Sequence, residues 1–351
     1  MSRHLRARRL CSQMMRPTSK PLPTTTQPCG LKAVGSSQST NIALFQAHYY
    51  ATQQAPRAPR APKAPAARPS NSELFDISSI TPGDIKTIID MTEGTFDTLS
   101  PEEYHKVALL FQDAIKKGAS PWSVKLPKED DVPAHVLHEL ACILRLATKQ
   151  SQLFAGALWT TASNMGYRPS TISLARELIG GGFWGKASQY RNVESRFKQI
   201  VQEGKDRNAL TAEGERLYRL GMYEAAVKVL QRALGPEGSE FEWKHHCQLC
   251  LARSYLKLGR AAEAKEFLEG IEGAGSGEAA VELAQLLRTS DPDKMEQYLY
   301  TAGINGRLEM FRQLSEIEFE KEARETDKAP KKEHNLWAME WSRLADEREK
   351  I

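Results

Sequence analysis

The six residues His245-His246-Cys247-Gln248-Leu249-Cys250 are the densest set of side chains able to bind a metal or exchange electrons. A Cys-x-x-Cys pair beside two imidazoles can seat zinc or cycle between dithiol and disulfide, and on a helix Cys247 and Cys250 share one face. A structural zinc site needs four ligands, however, and no second Cys/His pair stands at a usable spacing. A redox pair opens a helix after a strand, whereas this one falls inside the first helix of a helical hairpin. The pattern therefore favours small, half-buried helix residues, with no metal and no cofactor expected. Gly180-Gly181-Gly182-Phe183-Trp184-Gly185 contains G-x-G-x-x-G. Dinucleotide binding needs a strand ahead of that motif, and here a helical pattern precedes it. A hinge between helix pairs is the better reading, with Phe183 and Trp184 more often core plugs than exposed contacts. Glu129-Asp130-Asp131 and Lys331-Lys332-Glu333-His334 read as solvated charge runs. No phosphate loop, Gly-x-Ser-x-Gly elbow or His-Glu-x-x-His helix occurs, so no catalytic residues are expected and the chain reads as a non-enzyme without a small-molecule substrate.

The element that must carry the histidine-cysteine cluster is a duplicated helix-turn-helix unit over Ala209 to Leu268. Sliding the sequence by 38 positions lays Gly214 on Ala252, Leu217 on Tyr255, Leu220 on Leu258, Gly221 on Gly259, Ala226 on Ala264 and Leu230 on Leu268. Such a period lies in the range of helical-hairpin repeats. Gly214 and Ala252 are small where two helices cross; Gly221 and Gly259 end a helix by taking a positive φ. Ala226 and Ala264 let the second helix lie on the first. Gly214, Leu217, Gly221, Tyr223, Ala226, Leu230 and Ala233 follow G-x-x-L-x-x-x-G-x-Y-x-x-A-x-x-x-L-x-x-A, which resembles the tetratricopeptide family and its longer Sel-type variant. The aromatic-leucine start of that motif is missing and Ala261 stands opposite Tyr223, so the choice between the variants stays open. The resemblance implies an all-α fold, an α-solenoid of stacked hairpins with a protein-binding groove built from their first helices. By their place on those helices, Tyr218, Arg219, Gln248, Arg253 and Lys257 are the candidate protein-binding residues.

Around this centre the chain divides into four segments. Residues 1–50 read as a mitochondrial presequence: Arg3, Arg6, Arg8, Arg9 and Arg16 alternate with Leu5, Leu10, Met14 and Met15, and no acid is present. His48-Tyr49-Tyr50-Ala51-Thr52 resembles a matrix-protease site cut before Ala51. Residues 51–72 read as an Ala/Pro/Arg-rich linker, in which the stretch 55–69 repeats proline at the three-residue period of polyproline II. Residues 73–150 read as an N-terminal helical cap. Thr81-Pro82-Gly83-Asp84 and Ser100-Pro101-Glu102-Glu103 each place a hydroxyl at N-cap, proline at N1 and an acid at N3. The second of these helices should bury Tyr104, Val107, Ala108, Phe111 and Ile115; a third, after Pro133, carries Val136, Leu137, Leu140, Ile143 and Leu144. Residues 151–347 read as the repeat array. It begins with a pair around Phe154/Leu158 and Ile172/Leu178, and closes with a Sel-like pair around Phe311 and Trp337/Trp341.

Charge narrows the partners. The chain has 48 basic and 44 acidic residues, but the first 72 positions hold 11 of the basic ones and no acid, leaving 37 against 44. A net acidic remainder argues against a phosphate-tracking surface, so nucleic acid is not the expected partner. Cys11 and Cys29 fall in the presequence; Cys142, Cys247 and Cys250 are too few for a disulfide framework and suit a reducing compartment. The layout from about 150 to 345 is similar to that of fungal mitochondrial factors that insert and assemble cytochrome c oxidase subunit 2. That resemblance implies a scaffold in the mitochondrial matrix, peripheral on the matrix face of the inner membrane, whose partner is a protein client or the insertion machinery. A helical-repeat factor in mitochondrial translation or RNA handling is the second expectation, and a respiratory assembly protein using Cys247 and Cys250 for redox or metal work the third.

Overall fold

The computed structural model describes residues 71–92, 95–126, 132–148, 151–235 and 240–346. The expected presequence, all of the linker ahead of Asn71, and Glu129-Asp130-Asp131 lie outside them. After one helical turn at Asn71–Leu74, the described residues form fourteen longer α-helices and no strand. They are α1 (Pro82–Met91), α2 (Pro101–Lys116), α3 (Ala134–Ala147), α4 (Ser151–Asn164), α5 (Arg168–Gly180), α6 (Arg191–Glu203) and α7 (Arg207–Arg219). Then follow α8 (Tyr223–Leu234), α9 (Lys244–Lys257), α10 (Ala261–Glu272), α11 (Gly277–Leu287), α12 (Pro292–Ile304), α13 (Glu309–Arg324) and α14 (Lys328–Ala345).

The helix starts follow from side-chain chemistry. Thr81 and Ser100 each close a capping box, taking the N3 amide on the hydroxyl while the N3 carboxylate accepts from the cap amide. Two orphan amides are thereby satisfied at each end. The stops are as legible: Gly118, Gly166, Gly221 and Gly259 all have positive φ, which a side chain would strain. The 38-position shift carries the bounds of α8 onto those of α10.

Substantial packing joins only helices that are adjacent or next but one along the chain. Each helix therefore depends on its near neighbours rather than on one common centre. Within α7–α8 the fit is tight: a Cβ on Gly214 would lie 2.4 Å from the side chain of Leu230, so any larger residue would push the two helices apart. Ala252, Ala226, Ala264, Leu230 and Leu268 are fully buried, as the small-on-large pattern requires. The first core is built on Tyr104, Phe111, Leu140, Phe154 and Trp159 and runs from Phe75 through to Val193, so its packing crosses the expected junction at 150/151. A second core gathers α7 to α11, and a third around Ala302, Phe311 and Leu314 takes in the last four helices. No described helix is long and apolar enough to cross a membrane.

Candidate functional site

The odd-numbered helices α3, α5, α7, α9 and α11 lie in succession, and their charges meet across each gap. Arg145 of α3 pairs with Glu177 of α5 at 2.9 Å. Arg176 of α5 faces Glu215 of α7 at 3.8 Å, and Glu215 meets His246 of α9 at 2.9 Å. Arg253 of α9 pairs with Glu282 of α11 at 2.6 Å, and Glu278 of α11 reaches Arg307, ahead of α13, at 3.5 Å. The result is a polar ladder from α3 to the turn before α13. Each rung joins one of these helices to the next.

Its centre is the most enclosed. The side chains of Arg176 and Glu215 are only 9% and 10% exposed, and Arg219 closes on Glu215 at 2.9 Å from one helical turn further on. The Arg176 guanidinium also rests on the ring of buried Trp243, 4.8 Å from its centroid, a contact worth most where water is excluded. Burial alone would raise the Glu215 pKa, but the hydrogen bond from His246 and the facing Arg176 and Arg219 reverse this, lowering it to about 2. Burial and then Arg176 depress the His246 pKa, so the ring is neutral at neutral pH and its Nε2–H donates to Glu215 Oε2. Cys250 Sγ lies 3.5 Å from that same Nε2, which already carries a proton and cannot accept one from the thiol. Burial, with the Glu215 carboxylate beside it, pushes the Cys250 thiol far up. Cys247 turns the other way, donating to the carbonyl of Leu230 at 3.5 Å, and burial lifts it to about 12. Neither thiol is poised as a nucleophile.

The ligand atoms of Glu215, His246 and Cys250 lie within 4.8 Å of one another, as a metal would require. The donor set fits a cation poorly, because the carboxylate is already shared by two guanidiniums. A divalent ion would have to compete with both while also stripping a proton from a strongly disfavoured thiolate.

The five residues expected to bind protein occupy three environments. Tyr218 is half-buried against the ring of Tyr223, 5.6 Å between centroids. Arg219 and Arg253 lie on the ladder, engaged with Glu215 and Glu282. Gln248 is half-buried and Lys257 exposed. Of the three cations among the five, Arg253 is partly buried, whereas Lys257 is exposed and Arg219 is exposed despite its pairing with Glu215. The residues that the sequence reading missed are Glu215, Arg176 and Trp243. Their signal is a charge embedded in an otherwise buried run: Arg176 follows Ala175, and Glu215 sits between Gly214 and Leu217.

A scan against protein-family models finds no match, and no curated protein matches the sequence.

The glycine-rich loop after α5 lacks the strand that a dinucleotide motif needs ahead of it. A helix precedes it, and the carbonyl of Leu178 takes the amides of both Phe183 and Trp184. Trp184 does plug the core, edge-on to Phe197 at 5.3 Å. Phe183 does not: it is 59% exposed. In the run Lys331-Lys332-Glu333-His334 the first three residues are exposed, but His334 turns inward to Glu318 of α13 at 2.7 Å.

Proposed function

We propose that this chain is a non-enzymatic scaffold: an α-solenoid of tetratricopeptide- or Sel-like hairpins that holds a segment of another protein against its first helices. The observation that carries this reading is the pair α7–α8 and α9–α10, equal in spacing and with small residues at matched crossings, set among helices that pack only on near neighbours. Such stacks are stabilised repeat by repeat and leave extended side faces for recognition. Tyr218, Gln248 and Lys257 supply the contact surface in this reading, and Arg219 and Arg253 set its charge through the ladder. The acid-free, arginine-rich first 50 residues support import into the mitochondrial matrix. There the scaffold acts at the inner-membrane face in assembling a respiratory complex, with insertion of cytochrome c oxidase subunit 2 as its specific task.

A null strain tests this directly. Normal organellar protein synthesis with loss of oxidase subunit 2 from the assembled enzyme is the expected result. A general loss of mitochondrial translation products would instead favour an RNA-handling role, and a tagged chain found outside mitochondria would overturn the location.

A further inference from the structure

In the hairpins before the last, the second helix also receives the first helix of the hairpin that follows. Gln231 of α8 bonds the Tyr255 hydroxyl of α9 at 2.9 Å, while the Leu230 carbonyl takes Cys247 Sγ. In α12 Gly303 lies so close to Phe311 of α13 that a Cβ there would be 2.7 Å from the ring. The residue before it, Ala302, is fully buried. On α8 and α12 alike, the receiving side is therefore turned on from a buried alanine, Ala226 or Ala302, in the sense of increasing residue number. In α14 the corresponding marker is Ala338, buried and joined through its carbonyl to Ser315 of α13. The receiving side then falls at Met339, about 100° onward.

That side is uncovered. Lys328, Lys332, Leu336, Met339 and Arg343 are all exposed, the leucine by 60% and the methionine by 59%. Their spacing of four, four, three and four places them within an arc of about 80°, in a stripe about 22 Å long. No Asp or Glu of α14 lies in that arc; Glu340 stands beside it and pairs with Arg343 at 2.6 Å. Two apolar residues thus sit at the centre of a stripe with cations toward both ends.

We propose that this stripe docks an acidic amphipathic helix of a partner protein, which lies along α14 where the first helix of a further hairpin would lie. The occupant presents two apolar residues three or four apart to Leu336 and Met339, and carboxylates to Lys328 and Lys332. A second copy of the chain does not suit, because antiparallel pairing of two such stripes sets Lys328 against Arg343 and like charges repel. The inference rests on the packing pattern and not on the mitochondrial role, so it stands or falls separately from that role.

The test places a photo-crosslinking benzoylphenylalanine at Met339 in the full-length chain in cells and maps the crosslinked peptides. The expected product joins Met339 to one segment of another protein whose apolar residues recur at helical spacing between acids. Its yield should fall about tenfold in Lys328→Glu/Lys332→Glu, the loss of roughly 1.4 kcal/mol of binding, and return in Lys328→Arg/Lys332→Arg. An unchanged thermal midpoint confirms that the charge-reversed protein is folded. Crosslinks to lipid, to a second copy or to a segment without acids would overturn the proposal. So would no crosslink at all, or a yield indifferent to the charge reversal.

Discussion

The two His-x-x-x-Cys pairs of the molecule share a spacing and differ in everything around it. In α3, His138 and Cys142 approach to 3.8 Å between Nε2 and Sγ. In α9, His246 and Cys250 approach to 3.5 Å. An i, i+4 separation on a helix imposes that approach in both places. The other neighbours are then decisive. His138 faces the hydroxyl of Ser170 at 3.0 Å and the rings of Tyr167 and Trp159. His246 faces a carboxylate that two arginines also claim. The same His/Cys spacing thus yields a core contact with a hydroxyl and two rings in one case and the hub of an ion network in the other, because the adjacent helix supplies the partner.

The contrast is most sharply broken at Glu215. Glu215→Ala removes the enclosed carboxylate that Arg176, Arg219 and His246 share, and should cost about 3–5 kcal/mol in denaturant unfolding. A loss below about 1 kcal/mol would mean that the network is ornamental. Acid offers a second route. The Glu215 pKa is lowered from 4.5 to about 2, so in that window the unfolded chain binds a proton that the folded one refuses. Its contribution of about 3 kcal/mol is present above about pH 4.5 and fades as pH falls toward 2. The stability gap between wild type and Glu215→Gln should narrow over that range. The depressed His246 acts in the same sense from its ordinary 6.5 downward, since folding again excludes a proton. At the His138 pair, Ser170→Ala should cost only about 1 kcal/mol, the net worth of one hydrogen bond. Smallest of all, Cys250→Ala and Cys142→Ala should each cost about 1 kcal/mol or less at neutral pH. A Cys250→Ala loss matching that of Glu215→Ala would make the thiol a working member of the hub and reopen its chemistry.

Much of the helix layout was readable from residue order alone, because its determinants are local. The boxes at Thr81 and Ser100, the stop at Gly118 and the matched Gly214/Ala252 crossings each involve residues within a few turns of one another. The apolar faces expected of α2 and α3 are buried as read. The hub was not readable, since Glu215 lies 39 positions beyond Arg176 and 31 before His246, and the three belong to three helices. Periodicity finds the buried side of each helix but cannot say that a charge on one will be answered from another. The aromatic closing helix was only half legible. Trp341 stacks on Phe311 at 5.6 Å, whereas Trp337 and Met339 remain 47% and 59% exposed. A helix covered on one flank keeps its other flank wet, whatever its sequence prefers.

The three cysteines within the described helices are all buried. Alkylating reagents can therefore reach them only when their own helices part from the neighbours, so the labelling rate of each reads the opening frequency of its own stretch. Cys142 times the N-terminal core, and Cys247 with Cys250 the central hairpins. The native chain thus carries two built-in clocks for breathing in separate places, readable by mass spectrometry without adding a probe.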